Sequence, residues 1–94
     1  MPRYAAKTDK NQTEIVRCLR ASGCCVMSLA AVGKGCPDLL VSRADTLYLL
    51  EVKRGDLPPS AGRNRLSEQQ VAFHSEWPVS VVCSPDEALK AVGL

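Results

Sequence analysis

Pro37-Asp38-Leu39-Leu40-Val41-Ser42-Arg43-Ala44-Asp45-Thr46-Leu47-Tyr48-Leu49-Leu50-Glu51-Val52-Lys53 decides how this chain folds. Two apolar runs, 38–42 and 46–53, flank the polar turn Arg43-Ala44-Asp45-Thr46, which is the pattern of a β-hairpin. Folding the chain symmetrically about that turn sets Ser42 opposite Leu47, Leu40 opposite Leu49 and Asp38 opposite Glu51. Directly opposed residues of an antiparallel pair share a face, with Cβ atoms about 4.5–5.5 Å apart. The two-residue period of a strand brings Lys53 to the face of Glu51. Two carboxylates facing each other between apolar strands repel, and persist only with a proton or a cation between them. Oxygen ligands beside a lysine suit Mg²⁺ or Mn²⁺ and an anionic, phosphate-bearing substrate. The plainer reading makes Asp38 the end of a proline turn and Glu51 and Lys53 an exposed strand pair. Opposed acids within apolar strands argue against it.

Upstream, Asp9, Asn11 or Thr13 offers a cap for a helix that runs to about Ala21. Gln12, Ile15, Val16 and Leu19 share one of its faces, and Gly23 is its natural stop. Cys24 to Val32 reads as a strand, and Gly33-Lys34-Gly35 as a loop. Downstream, Arg54 to Arg65 is a polar loop carrying Arg54, Arg63 and Arg65. A helix opens at Leu66-Ser67-Glu68-Gln69-Gln70 and ends near Trp77-Pro78. Val79-Ser80-Val81-Val82-Cys83 is a compact apolar strand. Pro85-Asp86-Glu87 opens a last helix, with its acids where the dipole favours them. The expected order is helix, three strands, helix, strand, helix. Both faces of the hairpin strands are apolar, which predicts an α/β domain whose four-stranded mixed sheet has helices on both sides. The domain spans residues 9–94, after a loose arm at 1–8.

Composition sets the outer limits. The chain has 94 residues, 46% hydrophobic and 23% charged, which is globular. A net charge of +2 makes the placement of charges, not their sum, the argument for any nucleic-acid contact. No stretch reaches the roughly 18 apolar residues of a membrane span. Residues 1–7 lack the apolar core of a signal peptide, so a cytoplasmic location is expected. The five cysteines, Cys18, Cys24, Cys25, Cys36 and Cys83, are odd in number and form no Cys-x-x-Cys pair. Most of them read as small buried hydrophobes, in preference to a disulfide framework or a zinc site.

The order of elements, with an acid after proline on one strand and Glu-x-Lys on the next, resembles the PD-(D/E)xK nuclease superfamily. The wording of three motifs is similar to its virus-type replication-repair nuclease (VRR-NUC) branch. They are Gly35-Cys36-Pro37-Asp38-Leu39, Leu50-Glu51-Val52-Lys53 and Leu66-Ser67-Glu68-Gln69-Gln70. The closing Val81-Val82 strand and the Ser84-Pro85-Asp86-Glu87-Ala88-Leu89 helix also fit, so the resemblance covers roughly residues 9–92. It implies a restriction-endonuclease-like fold and DNA phosphodiester hydrolysis with Mg²⁺ or Mn²⁺. Asp38 and Glu51 match the metal-binding acids, the Val52 carbonyl completes the metal shell, Lys53 matches the catalytic lysine, and Gln70 the accompanying glutamine. Relatives often add an acid from the first helix. Here Gln12 holds one candidate register, and Asp9 and Glu14 are the nearest acids. Small stand-alone members are phage-type enzymes, often homodimers suited to branched DNA, which implies a resolvase of four-way junctions working in a bacterial host cytoplasm.

Several residues keep a second reading. Ser67 to Gln70 is a capping box, so Gln70 serves the helix start, the site, or both. Glu14 also reads as a solvated helix residue, and His74 as a surface or packing histidine. Lys34, Arg54, Arg63 and Arg65 are placed to grip a phosphate backbone without reading sequence. Trp77, Tyr48 and Phe73 read as core, since aromatic residues make up 4% of the chain. A flap or nicked-duplex nuclease, a non-catalytic DNA-binding module of the same fold and a zinc-stabilised adaptor are the rival functions.

Overall fold

The computed structural model describes residues 10–55 and 65–94. The expected arm at 1–8, the candidate acid Asp9 and the candidate DNA contact Arg63 lie outside the described residues. Helix α1 spans Lys10–Ala21, strand β1 Cys25–Ser28, β2 Leu39–Arg43, β3 Thr46–Val52, helix α2 Glu68–Glu76, strand β4 Val79–Val82 and helix α3 Pro85–Ala91. This is a small α+β domain with one four-stranded mixed sheet in the order β1-β2-β3-β4. The first three strands are antiparallel neighbours, and β4 returns parallel to β3.

Each boundary has a local cause. Ile15 and Leu19, four residues apart, are the fully buried stripe of α1. Gly23 takes φ +93° and closes that helix, with the Cys24 N–H donating to the Leu19 carbonyl at 3.0 Å. The hairpin turns through Ala44 and Asp45, both at positive φ (51° and 65°), so Arg43 pairs with Thr46 across a two-residue loop. Ser84 caps α3, its hydroxyl accepting from the Glu87 N–H at 3.2 Å.

Alternation then sorts the sheet's side chains. Leu39, Val41, Leu50, Val52 and Val82 point to one face, where they bury against Ile15, Leu19, Ala88 and Val92 of α1, α3 and the residue that follows it. The other face carries Met27, Leu40, Leu47, Leu49, Val81 and the site acid Glu51.

Some expectations need correction. β1 stops at Ser28, not Val32, because Leu29 to Val32 folds into a turn closed by the Val32 N–H on the Leu29 carbonyl at 3.0 Å. Helices do lie on both sides of the sheet, but unequally. No residue of α2 is buried. This helix touches the second face at the Glu51 end and leaves Met27 and Leu47 59% and 67% exposed. Of the cysteines only Cys24 is buried, while Cys25 points outward from an edge strand and all five are free thiols. Trp77 is 53% exposed and stacks on Phe73 with ring centroids 5.6 Å apart, so it is not core. Tyr48 does pack against the core.

Candidate active site

The hairpin register places the acids. Leu39 pairs with Leu50 and Leu40 with Leu49, so the same register one residue further sets Asp38 opposite Glu51. Asp38 is tied down by both backbone and side chain. Its carbonyl accepts from the Leu29 N–H at 2.8 Å, and its Oδ2 accepts from the Val52 N–H at 2.7 Å. Glu51 is 3% exposed. Its Oε2 accepts from Gln70 Nε2 at 3.2 Å and lies 3.9 Å from Lys53 Nζ. Its Oε1 is buried with no hydrogen-bond partner among the described residues.

Buried surroundings and the facing acid determine the charge of this pair. Burial first, then a shared proton with the Asp38 carboxyl and the Asp38 charge, together push the Glu51 carboxyl up from its usual 4.5 to about 8, with Lys53 only partly offsetting them. Burial and then the same two acids also push up the Cys36 thiol, which sits beside them.

Gln70 has both of its candidate roles. Its backbone N–H donates to Ser67 Oγ at 3.2 Å, and its Oε1 accepts from the Ser67 N–H at 2.9 Å. These bonds complete the capping box and leave its Nε2 for Glu51. The amide therefore caps α2 with one end and holds Glu51 with the other. Gly35 docks that helix start. At φ +83°, a Cβ on it would collide with the Gln69 carbonyl and stand 2.9 Å from the Gln70 nitrogen. Only glycine permits this approach.

Two residues were missed by sequence reasoning. Asn11, considered only as a cap, sits inside α1 and donates through Nδ2 to the carbonyls of Lys53 (2.7 Å) and Cys83 (3.0 Å). It clamps the ends of β3 and β4 together and so fixes where Lys53 starts. A polar side chain one turn before Ile15, on a face that otherwise packs inward, was the available signal. His74 lies one turn after Gln70 on α2. Burial and then the Lys53 charge lower its pKa.

The remaining candidates divide. Glu14 is not at the site. It lines a hollow with Arg17, Cys18, Ala21 and Pro85, between α1 and α3. Gln12 borders a different hollow with Ser28 and Leu39. No three acidic, cysteine or histidine side chains cluster tightly enough to hold a metal among the described residues. Lys34 and Arg65 are exposed, and Arg54 is half-buried. Lys34 precedes Gly35, which packs on the start of α2, Arg65 precedes the Ser67 cap, and Arg54 follows Lys53.

The donor chemistry suits a divalent ion: the Asp38 carboxylate and the unpartnered Glu51 Oε1 are hard oxygens of the kind Mg²⁺ takes, and water completes much of the shell that ion keeps. Comparison with family models, curated proteins and solved structures finds no match to this chain. No helix among the described residues is long and apolar enough to cross a membrane.

Proposed function

We propose that this chain is a Mg²⁺- or Mn²⁺-dependent DNA endonuclease with a restriction-endonuclease-like core of the VRR-NUC type, acting on branched DNA as a resolvase of four-way junctions. One observation carries the reading. Asp38 and the buried, partly unpaired Glu51 face each other at the end of a hairpin, with Lys53 Nζ 3.9 Å from Glu51. Such a pair is unfavourable in an apolar hairpin unless a proton or a cation joins it, and a cation is what the nuclease reading supplies.

Asp38, Glu51 and the Val52 carbonyl would hold the ion. When bound, it acidifies a water and offsets charge on the phosphate. The chain's own residues do the rest. The Val52 N–H orients Asp38, and Gln70 Nε2 orients Glu51. Asn11 anchors the backbone from which Lys53 projects. The Lys53 ammonium, a compact point charge, stabilises the phosphoryl oxygens and orients the attacking water. Lys34, Arg54 and Arg65 contact the backbone on either side.

The open sheet face supports a homodimer. Met27 and Leu47 stand exposed on this face, away from the end that α2 touches, and a second copy would supply the second active site that paired junction cuts require. The absence of a third carboxylate among the described residues favours, as a second reading, a DNA-binding module of the same fold without turnover. Labelled four-way junction, flap, nicked and linear duplex, each incubated with Mg²⁺, Mn²⁺ or chelator, separate these readings. Metal-dependent cutting with preference for the junction is expected. Equal cutting of linear duplex, with a monomer by light scattering, removes the resolvase reading. Tight binding of branched DNA without cutting in either metal establishes the module.

A further inference from the structure

We propose that His74 is a positioning residue, whose Nε2 accepts from the Lys53 ammonium a hydrogen bond that the structure leaves unmade, and so holds the ammonium against the scissile phosphate. This rests on the nuclease reading for its effect on rate, but not for the contact itself. Two periodicities bring the side chains together. On α2, Gln70 and His74 are four residues apart and share a face, about 5.4 Å apart along the axis. On β3 and its continuation, Glu51 and Lys53 are two residues apart and share a face, about 6.6 Å apart. The first members of the two pairs are in contact, Gln70 Nε2 to Glu51 Oε2 at 3.2 Å. From that contact, His74 follows Gln70 by one helical turn as Lys53 follows Glu51 by one strand repeat, so the second members of the two pairs are neighbours of the first. The Lys53 charge also disfavours protonation of His74, after burial, so the two lie within electrostatic range of each other.

Their hydrogen-bonding needs match. His74 Nε2 is buried and has no partner among the described residues. Buried polar atoms without partners are rare in native proteins and ask for an explanation. Lys53 carries three donors, and its ion pair with Glu51, at 3.9 Å, is too long for a hydrogen bond. Burial and the neighbouring ammonium both keep the imidazole neutral, so Nε2 serves as the acceptor when the proton sits on Nδ1. A neutral acceptor suits the task. Glu51 would neutralise the lysine it holds and is needed for the metal. An imidazole fixes the ammonium and leaves its full charge for the phosphate.

The test has a spectroscopic and a kinetic arm. Long-range proton–nitrogen NMR correlation on the wild-type protein reads which His74 nitrogen is protonated. The expected result is a bare Nε2 whose resonance moves in Lys53→Met. A protonated Nε2, or one indifferent to Lys53→Met, overturns the contact without reference to nuclease activity. In the kinetic arm, His74→Phe should lower kcat on the junction about tenfold while KM stays within about twofold. His74→Gln, which restores an acceptor, should recover to within about threefold of wild type. Adding His74→Phe to Lys53→Ala should slow cutting no further, since both act through one ammonium. Wild-type kcat in His74→Phe, or full additivity with Lys53→Ala, overturns the positioning role. A wild-type protein that cuts no DNA refutes the nuclease reading and this rate effect with it, while the NMR arm still decides the contact.

Discussion

Replacing Glu51 with Gln isolates the electrostatic cost of the metal-free site. Glutamine keeps the shape of a protonated glutamate. Its Oε1 can accept from Gln70 Nε2, and its amide N–H can donate to Asp38 as the proton on Glu51 does. The wild-type group has a folded-state pKa of about 8 against an ordinary 4.5, with burial as the first cause and Asp38 the second. A carboxyl whose pKa rises on folding stabilises the fold fully below its unfolded value and loses that contribution as pH climbs through the folded one. Wild-type stability therefore declines between pH 4.5 and about 8 and is lowest above it. Each pH unit of that gap is worth about 1.4 kcal/mol, so after solvent screening is allowed for the ionised apo pair costs a few kcal/mol. The test is thermal unfolding in chelator from pH 5 to 9. Glu51→Gln should match wild type near pH 5 and exceed it at pH 9, by more than about 10 °C for a domain of this size. Adding Mn²⁺ at pH 8 should raise the wild-type midpoint and leave the variant's unchanged. A wild-type-minus-variant difference that is flat with pH, or a variant less stable throughout, refutes the picture of a strained pair awaiting a cation.

Other perturbations test the supports of the site. Gly35→Ala places a Cβ against the Gln69 carbonyl at φ +83°, so it should cost at least about 2 kcal/mol and displace the start of α2, read by denaturant unfolding and by loss of cutting. Ala44→Gly relieves an alanine held at φ +51° and should add about 0.5–1 kcal/mol in denaturant melts without altering cleavage. Arg65→Ala should weaken junction binding at every sequence and reduce the slope of log affinity against log salt by about one, measured by titration across salt concentrations.

The hairpin was legible because its information is local. A two-residue turn and the strand period suffice to oppose Asp38 and Glu51, and the observed pairing of Ser42 with Leu47 is the register that symmetry about Ala44-Asp45 demands. The α3 start was legible for the same reason, since Pro85, Asp86 and Glu87 act on their own helix. Failures came where long-range packing decides. The Ala30-Ala31 step does not separate strand from turn by polarity, so β1 was drawn too long. Helix α2 has no apolar stripe, so its capping sequence marked where it begins but not which face it meets. Gly35 against the Gln69 backbone does that docking, and a glycine in a loop does not announce its partner. His74 was passed over for the same reason. Glu14 was left open by counting along a helix, and only the packing of α1 against α3 turns it toward Pro85.

The central claim is that Asp38 and Glu51 together hold a divalent ion that cuts DNA. Its most direct test is the single-turnover rate on a labelled four-way junction, for wild type and Asp38→Asn, in Mg²⁺, Mn²⁺ and chelator, with the thermal midpoint of each sample recorded alongside. Asparagine can still accept from the Val52 N–H, which holds Asp38 Oδ2 at 2.7 Å, so the fold should survive. The expected result is cutting by wild type in either metal, none in chelator, and none by an Asp38→Asn protein that melts at or above the wild-type temperature. Metal-independent cutting, or a fully active Asp38→Asn protein, contradicts it.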